Sequence, residues 1–366
     1  MLSIAASLIM LVGSYGAPEE NNFRTFSFDL ESGQIMPLDS ISGLSNPSFL
    51  AVADNGETVL AVNEEDSYSS VLTMLRKDGA DGHYTPVAQQ PVIGKKPCHV
   101  AVSPNGEYAV TANYSSGTIS VFPFKGEEKE LGKPRIVKFQ GHGVDTIRQE
   151  MPHPHCTTFT PDGKFMVVTD LGTDRIHQFP LDYDGDVDLS GVLDVSVTPG
   201  FGPRHIVFDK KCENGYMINE LTGNVSHFRY STYHDTLNAV NAYESNSGHV
   251  GGGSAINISP CGKWVYASNR LNGDGIAVFK IDTSNGWELV PLSYTPTGKY
   301  PRHFTLTPDG KWLLVACQDD NRIEVYKCNE KDGSLTPTGY SVPCSQPACI
   351  VFTPASAPET ADNTSK

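Results

Sequence analysis

His155, Arg204, Glu220, Arg270 and Arg302 are side chains of the kinds that can open or close an ester bond in an anionic molecule. Imidazole, with a pKa near neutrality, or a Glu whose pKa is raised by its surroundings, can take a proton from water. Guanidinium forks bind phosphate or carboxylate through two parallel hydrogen bonds and can stabilise an oxyanion as a carbonyl is attacked. These five are spread over about 150 positions, so the elements that would bring them together must be found in the rest of the chain.

Those elements repeat. "PSFLAVADNGETVLAVNE" from Pro47 is matched by units starting at Pro97, Pro154, Pro203, Gly253, Pro301 and Pro347, at steps of 50, 57, 49, 50, 48 and 46 residues. Each unit begins with a β-rich run, turns through PNGE, PDGK or PCGK, and continues into a second run such as "FMVVTD". Asn-Gly and Asp-Gly between such runs predict hairpins. A third strand ("TISVFPF", "RIHQFPL", "GIAVFKI") and a variable fourth complete each unit. The fold class is therefore all-β, a seven-bladed β-propeller with four antiparallel strands per blade.

The ends of the chain bear on that expectation. The unit at Pro347 has one strand before a polar tail, while "LIMLVGSY", "FRTFSFDL" and "QIMPLDSIS" near the N-terminus read as its missing second, third and fourth strands. N-terminal strands joining the C-terminal strand would close the ring and remove the sheet edges. Residues 8–354 are expected to form this single domain, with 355–366 a disordered tail. The apolar start "MLSIAASLIMLVG" lacks a basic leader and is read as a buried strand rather than a signal peptide, with Met1 to Ser7 an extension.

In a propeller the start of strand one and the end of strand two share one mouth. The residue after each leader is Ser48, Cys98, His155, Arg204, Ser254, Arg302 and Ala348; the next is Phe49, His99, Cys156, His205, Ala255, His303 and Cys349. Seventeen after each leader stand Glu64, Tyr114, Leu171, Glu220, Arg270 and Gln318, with Tyr15 in the closing unit. His155, Arg204, Glu220, Arg270 and Arg302 thus fall on one rim.

His153-Pro154-His155 also offers two imidazoles that could chelate a metal with Glu64 or His99. Pro154 holds the leading position, however, so one histidine precedes the strand, and no metal site is expected. The eight cysteines are scattered without a C-x-x-C pair and are read as reduced, buried thiols in a reducing compartment. Cys98 and Cys156 lie close enough to the rim to be nucleophiles, but packed thiols are the plainer reading. A net charge of −15 without a basic block argues against nucleic acid or a membrane surface as partner.

Together "RQEMPHPH", "DLGTDRIHQFPLD", "GFGPRHIVF", "INEL" and "YPRHFTLTPDGKWLLVA" resemble the seven-bladed lactonases, a family that includes propeller-type 6-phosphogluconolactonases and 3-carboxy-cis,cis-muconate lactonising enzymes. The resemblance implies a cytoplasmic hydrolase that opens a small anionic lactone without metal or organic cofactor. It places the catalytic group on His155, Glu220, Arg204 and Arg270 and matches Arg148 and Gln149 to the family's RQ pair; with these two, His153 and the rim residue Arg302 are expected to bind substrate. Alternatives are a cycloisomerase that closes a muconate, and a propeller that binds without turnover. In the fourth unit "DKKCENGYMI" departs from the usual Pro-Asp-Gly turn.

Overall fold

A computed structural model of the chain describes residues 7–79, 82–125, 130–182, 185–231, 236–245, 248, 250–271 and 273–354. The expected tail, 355–366, and most of the expected N-terminal extension lie outside them. The described residues contain strands and four single 3-10 turns, and no α-helix.

Seven antiparallel sheets make up the fold. Blade 1 begins at Leu50–Ala53, blade 2 at Pro97–Val102, blade 3 at Pro154–Phe159, blade 4 at Pro203–Phe208, blade 5 at Gly253–Ile258 and blade 6 at Pro301–Leu306. In blade 7 the innermost strand is Pro347–Pro354, and Ser7–Ser14, Phe23–Asp29 and Ile35–Ile41 follow outward. Ser7–Ser14 is sandwiched between a C-terminal and an N-terminal strand, so the ring closes by backbone pairing of the two chain ends. Blade 2 departs from the expected pattern: its outer edge is split into Glu130–Leu131 and Arg135–Lys138, both paired with Thr118–Lys125.

Packing follows from the alternation. Each sheet buries both faces of its inner strands against neighbouring blades, and seven apolar clusters result, one for each junction. The closing junctions use Met10 and Val12 against blade 6, and Ile9 and Leu11 against blade 1. Outer strands are largely exposed, as in Glu288–Pro296, where only Leu289 is buried.

The inner hairpins turn where the sequence placed them. Gly163 takes φ +72° after Thr160 and Asp162, whose side chains bond to each other at 2.6 Å. In blade 4 the same place is held by Cys212 at φ +57°, buried in the apolar cluster between blades 3 and 4. There the missing glycine is replaced by a residue that bears the left-handed backbone and gains packing.

At the opposite end of the hairpin the strands do not pair evenly. Pro154 faces Asp170 while Cys156 faces Thr169, so His155 is an extra, bulged residue. The same shift places Cys98, Arg204 and Arg302 outside the ladder in their blades. A bulge re-aims the side chain it carries, which explains why this one rim position holds groups a regular strand would not place there.

Candidate active site

The rim encloses a cleft of about 1220 Å³. Glu220 is the hub of one wall. It stands just past Asn214–Asn219, where its N–H donates to the Gly202 carbonyl at 2.8 Å, and its own carbonyl accepts from Gly252 N–H at 2.8 Å. Its Oε2 accepts from Arg204 Nε at 3.0 Å and Arg270 Nη2 at 2.7 Å, and its Oε1 from Arg148 Nη2 at 2.5 Å. His155 Nε2 lies 3.7 Å from Oε2. Three residues from three blades, with Arg148 from the segment between blades 2 and 3, thus converge on one carboxylate.

Burial and the neighbouring charges together set the charge states. Enclosure alone would push the Glu220 carboxyl up, but the guanidiniums of Arg270, Arg204 and Arg148 outweigh it and hold the group well below the usual carboxylate range. Burial, reinforced by Arg204, drives His155 well below the ordinary imidazole value, against the pull of Glu220. Burial and the like charge of Arg270 bring Arg204 down to about 10. At neutral pH the site is therefore a neutral imidazole, one carboxylate and three guanidinium groups.

The opposite wall is a second, smaller cluster. Glu64 Oε2 accepts from the Tyr15 hydroxyl at 2.7 Å and from Ser48 Oγ, and lies 3.6 Å from Arg302 Nη2. Arg302 stands over the Tyr15 ring at 5.0 Å. All of these converge because the ring of repeats converges.

Not every expected residue faces the cleft. His155, Glu220, Arg270, Arg148 and Arg302 line it. Arg204 lies beneath, 2 % exposed, with Nη1 bonded to the Ser254 carbonyl at 2.6 Å. Gln149 is fully buried: its amide donates to the Leu171 carbonyl at 2.8 Å and accepts from the N–H groups of Val144 and Asp145, bracing the segment that carries Arg148. His153 is likewise a brace, its Nδ1 2.9 Å from the Tyr114 carbonyl and its ring stacked on Tyr114. The substrate-binding expectation for Gln149 and His153 thus meets side chains turned into the wall, where Leu171 and Tyr114 of the flanking blades and Val144, Asp145 and Glu150 of the same connection meet their polar atoms.

Among the described residues no three His, Cys, Asp or Glu side chains gather as a metal site would need. Cys98 packs against the His155 carbonyl at 3.5 Å, burial raises its thiol strongly, and Cys156 is pushed up to about 12, so both are protonated packing groups. All eight cysteines are free; Cys261 is exposed, unlike the expectation for the set.

A further ring had escaped the sequence reading. The carbonyl one position before each leader accepts from the N–H seventeen residues past that leader in all seven blades, as in Lys96 with Tyr114 at 2.9 Å and Tyr300 with Gln318 at 3.1 Å. Asn46, Lys96, Tyr300 and Gln346 take this place at φ between +39° and +58° and line the cleft. Aligning the repeats one residue earlier would have found them. The Tyr300 hydroxyl accepts from Arg270 Nη1 at 2.9 Å and fixes that fork.

The architecture and the mouth define a seven-bladed propeller whose reactive groups are gathered at one end of its axis. The chain belongs to the seven-bladed β-propeller lactonase family, whose model matches residues 9–352. It is 32% identical over 339 residues to a 6-phosphogluconolactonase of Formosa agariphila, covering 89% of this chain and 94% of that one. A Bacteroides uniformis structure, described as a candidate 6-phosphogluconolactonase, superposes with a TM-score of 0.89 at 38% identity, covering 95% of this chain and 100% of that chain. A periplasmic gluconolactonase of Pseudomonas aeruginosa shares the fold at a TM-score of 0.88 and 24% identity, over 96% and 100% of the two chains.

Proposed function

We propose that this chain hydrolyses 6-phosphogluconolactone to 6-phosphogluconate, as a carboxylic ester hydrolase formed by the single domain of residues 8–354. The observation that carries the reading is the neutral His155 set 3.7 Å from a carboxylate pinned by arginines, in a chain of the lactonase family. In this reading His155 takes a proton from water as the water oxygen attacks the lactone carbonyl. Glu220, already anionic, stabilises the imidazolium that forms, while Arg270 donates to the developing oxyanion. Arg270 Nη1 and Nη2 each commit one N–H, to Tyr300 and Glu220, so the fork retains two further N–H donors. The ring C–O bond then breaks, and the imidazolium returns its proton to the leaving alkoxide.

Arg204, enclosed under Glu220, acts as a positioning residue. Arg302 closes the far wall over Tyr15. Cytoplasmic residence suits both this substrate and eight unpaired thiols. The role of His155 is tested by His155→Ala, measured by initial rates of lactone opening corrected for spontaneous hydrolysis. Loss of a positioned proton acceptor should lower kcat by about 10²- to 10⁴-fold; a variant with unchanged kcat sinks this mechanism.

A further inference from the structure

The lactonase reading requires a place for a phosphate, and the deepest arginines are poorly suited to be that place. Arg204 and Arg270 are tied to Glu220, and Arg302 faces Glu64. A dianion that displaced Glu220 from its forks would leave a carboxylate buried beside it without its partners, which is strongly unfavourable.

Lys96 has no such tie, and Arg148, though its Nη2 also donates to Glu220, lies nearer solvent and keeps Nη1 and Nε for a phosphate, so Glu220 need not be displaced. Both cations line the same cleft. The Arg148 side chain is 43% exposed, and Lys96 is half-buried and belongs to no ion pair among the described residues. Both are carried on one ring: Lys96 Nζ lies 6.0 Å from the Tyr114 centroid, and Arg148 Nη2 lies 3.4 Å from the Tyr114 hydroxyl. The Tyr114 ring itself stands 5.7 Å from His155, edge-on, and is stacked on His153. Lys96 is held at the rim by a left-handed backbone, φ +54°, whose carbonyl receives the Tyr114 N–H. Asn46, Tyr300 and Gln346 share that left-handed backbone in other blades, so it is a property of the ring that fixes where Lys96 stands.

We propose that Lys96 and Arg148, seated on Tyr114, form the phosphate subsite, so that the phosphoryl group is bound at the solvated rim while the carbonyl reaches His155 and Arg270. A compact ammonium beside a planar fork suits a hydrated, multiply charged phosphate. The subsite rests on the lactonase reading, and it makes the preference for phosphorylated over plain lactones a property of Lys96.

The test compares kcat/KM for 6-phosphogluconolactone and for gluconolactone in the wild type, Lys96→Gln and Lys96→Arg. Gln346 and Asn46 hold the equivalent left-handed position in other blades, so glutamine is compatible with that backbone. The ratio of the two kcat/KM values should fall at least about tenfold in Lys96→Gln, mostly through KM, and recover in Lys96→Arg. Calorimetric binding of 6-phosphogluconate against gluconate gives a readout independent of turnover. A wild type that opens the lactones alongside a Lys96→Gln variant that keeps the ratio overturns the subsite. A wild type that opens neither, with phosphate-dependent binding lost in Lys96→Gln, upholds the subsite and sinks the lactonase reading. If binding is also indifferent to Lys96, the subsite is overturned.

Discussion

An imidazole enclosed beside guanidinium groups keeps its lone pair to lower pH than one in water. His155 is driven well below 6.5 chiefly by burial. As a base it works only when unprotonated, so the acid limb of its pH profile is displaced downward. The expected result is a kcat/KM that stays level as pH falls through the ordinary imidazole range and declines only below it. Initial rates measured at constant ionic strength check this, and a midpoint at or above 6.5 would remove His155 as the base. The rim position of His155, Arg204 and Glu220 was legible in the sequence because a fixed offset from each leading residue marks it. Depth was not legible. Arg204, Gln149 and His153 carry the right chemistry, yet their side chains end in the wall: the repeat puts their partners Ser254, Leu171 and Tyr114 on the same rim but does not say which side chains turn inward to the backbone there.

At the scale of elements, one glycine couples two site residues. Gly252 N–H donates to the Glu220 carbonyl and the Gly252 carbonyl accepts from Arg270 N–H, both at 2.8 Å. It sits at φ +85°, and a Cβ there would lie 1.9 Å from the Arg270 carbonyl oxygen. Gly252→Ala is expected to cost about 2–4 kcal/mol of stability, from left-handed strain plus the forced movement of Arg270, and to lower kcat as well. Urea denaturation and initial rates test both parts. The blades themselves were readable from hairpin signals recurring every fifty residues or so. The split outer strand of blade 2 and the brace around Gln149 were not, since neither has a period: one is a broken pairing, the other a set of side-chain bonds to backbone in one long connection and at Leu171 of blade 3.

Over the whole molecule, closure and chemistry have the same origin. Pairing of Ser7–Ser14 with Pro347–Pro354 completes a ring of seven sheets, and only in a closed ring do Glu64, Tyr15 and Arg302 face Glu220 and His155 across one cleft. The N-terminal strands could be matched to the C-terminal one because each blade repeats the same order of strands. Catalysis on a lactone is the central claim for that cleft. Its most direct measurement is the initial rate of 6-phosphogluconolactone opening by the purified full chain, with and without chelator, against spontaneous hydrolysis. Saturable acceleration that a chelator leaves intact is expected; a rate equal to the spontaneous one at every enzyme concentration would rule out catalysis at this cleft.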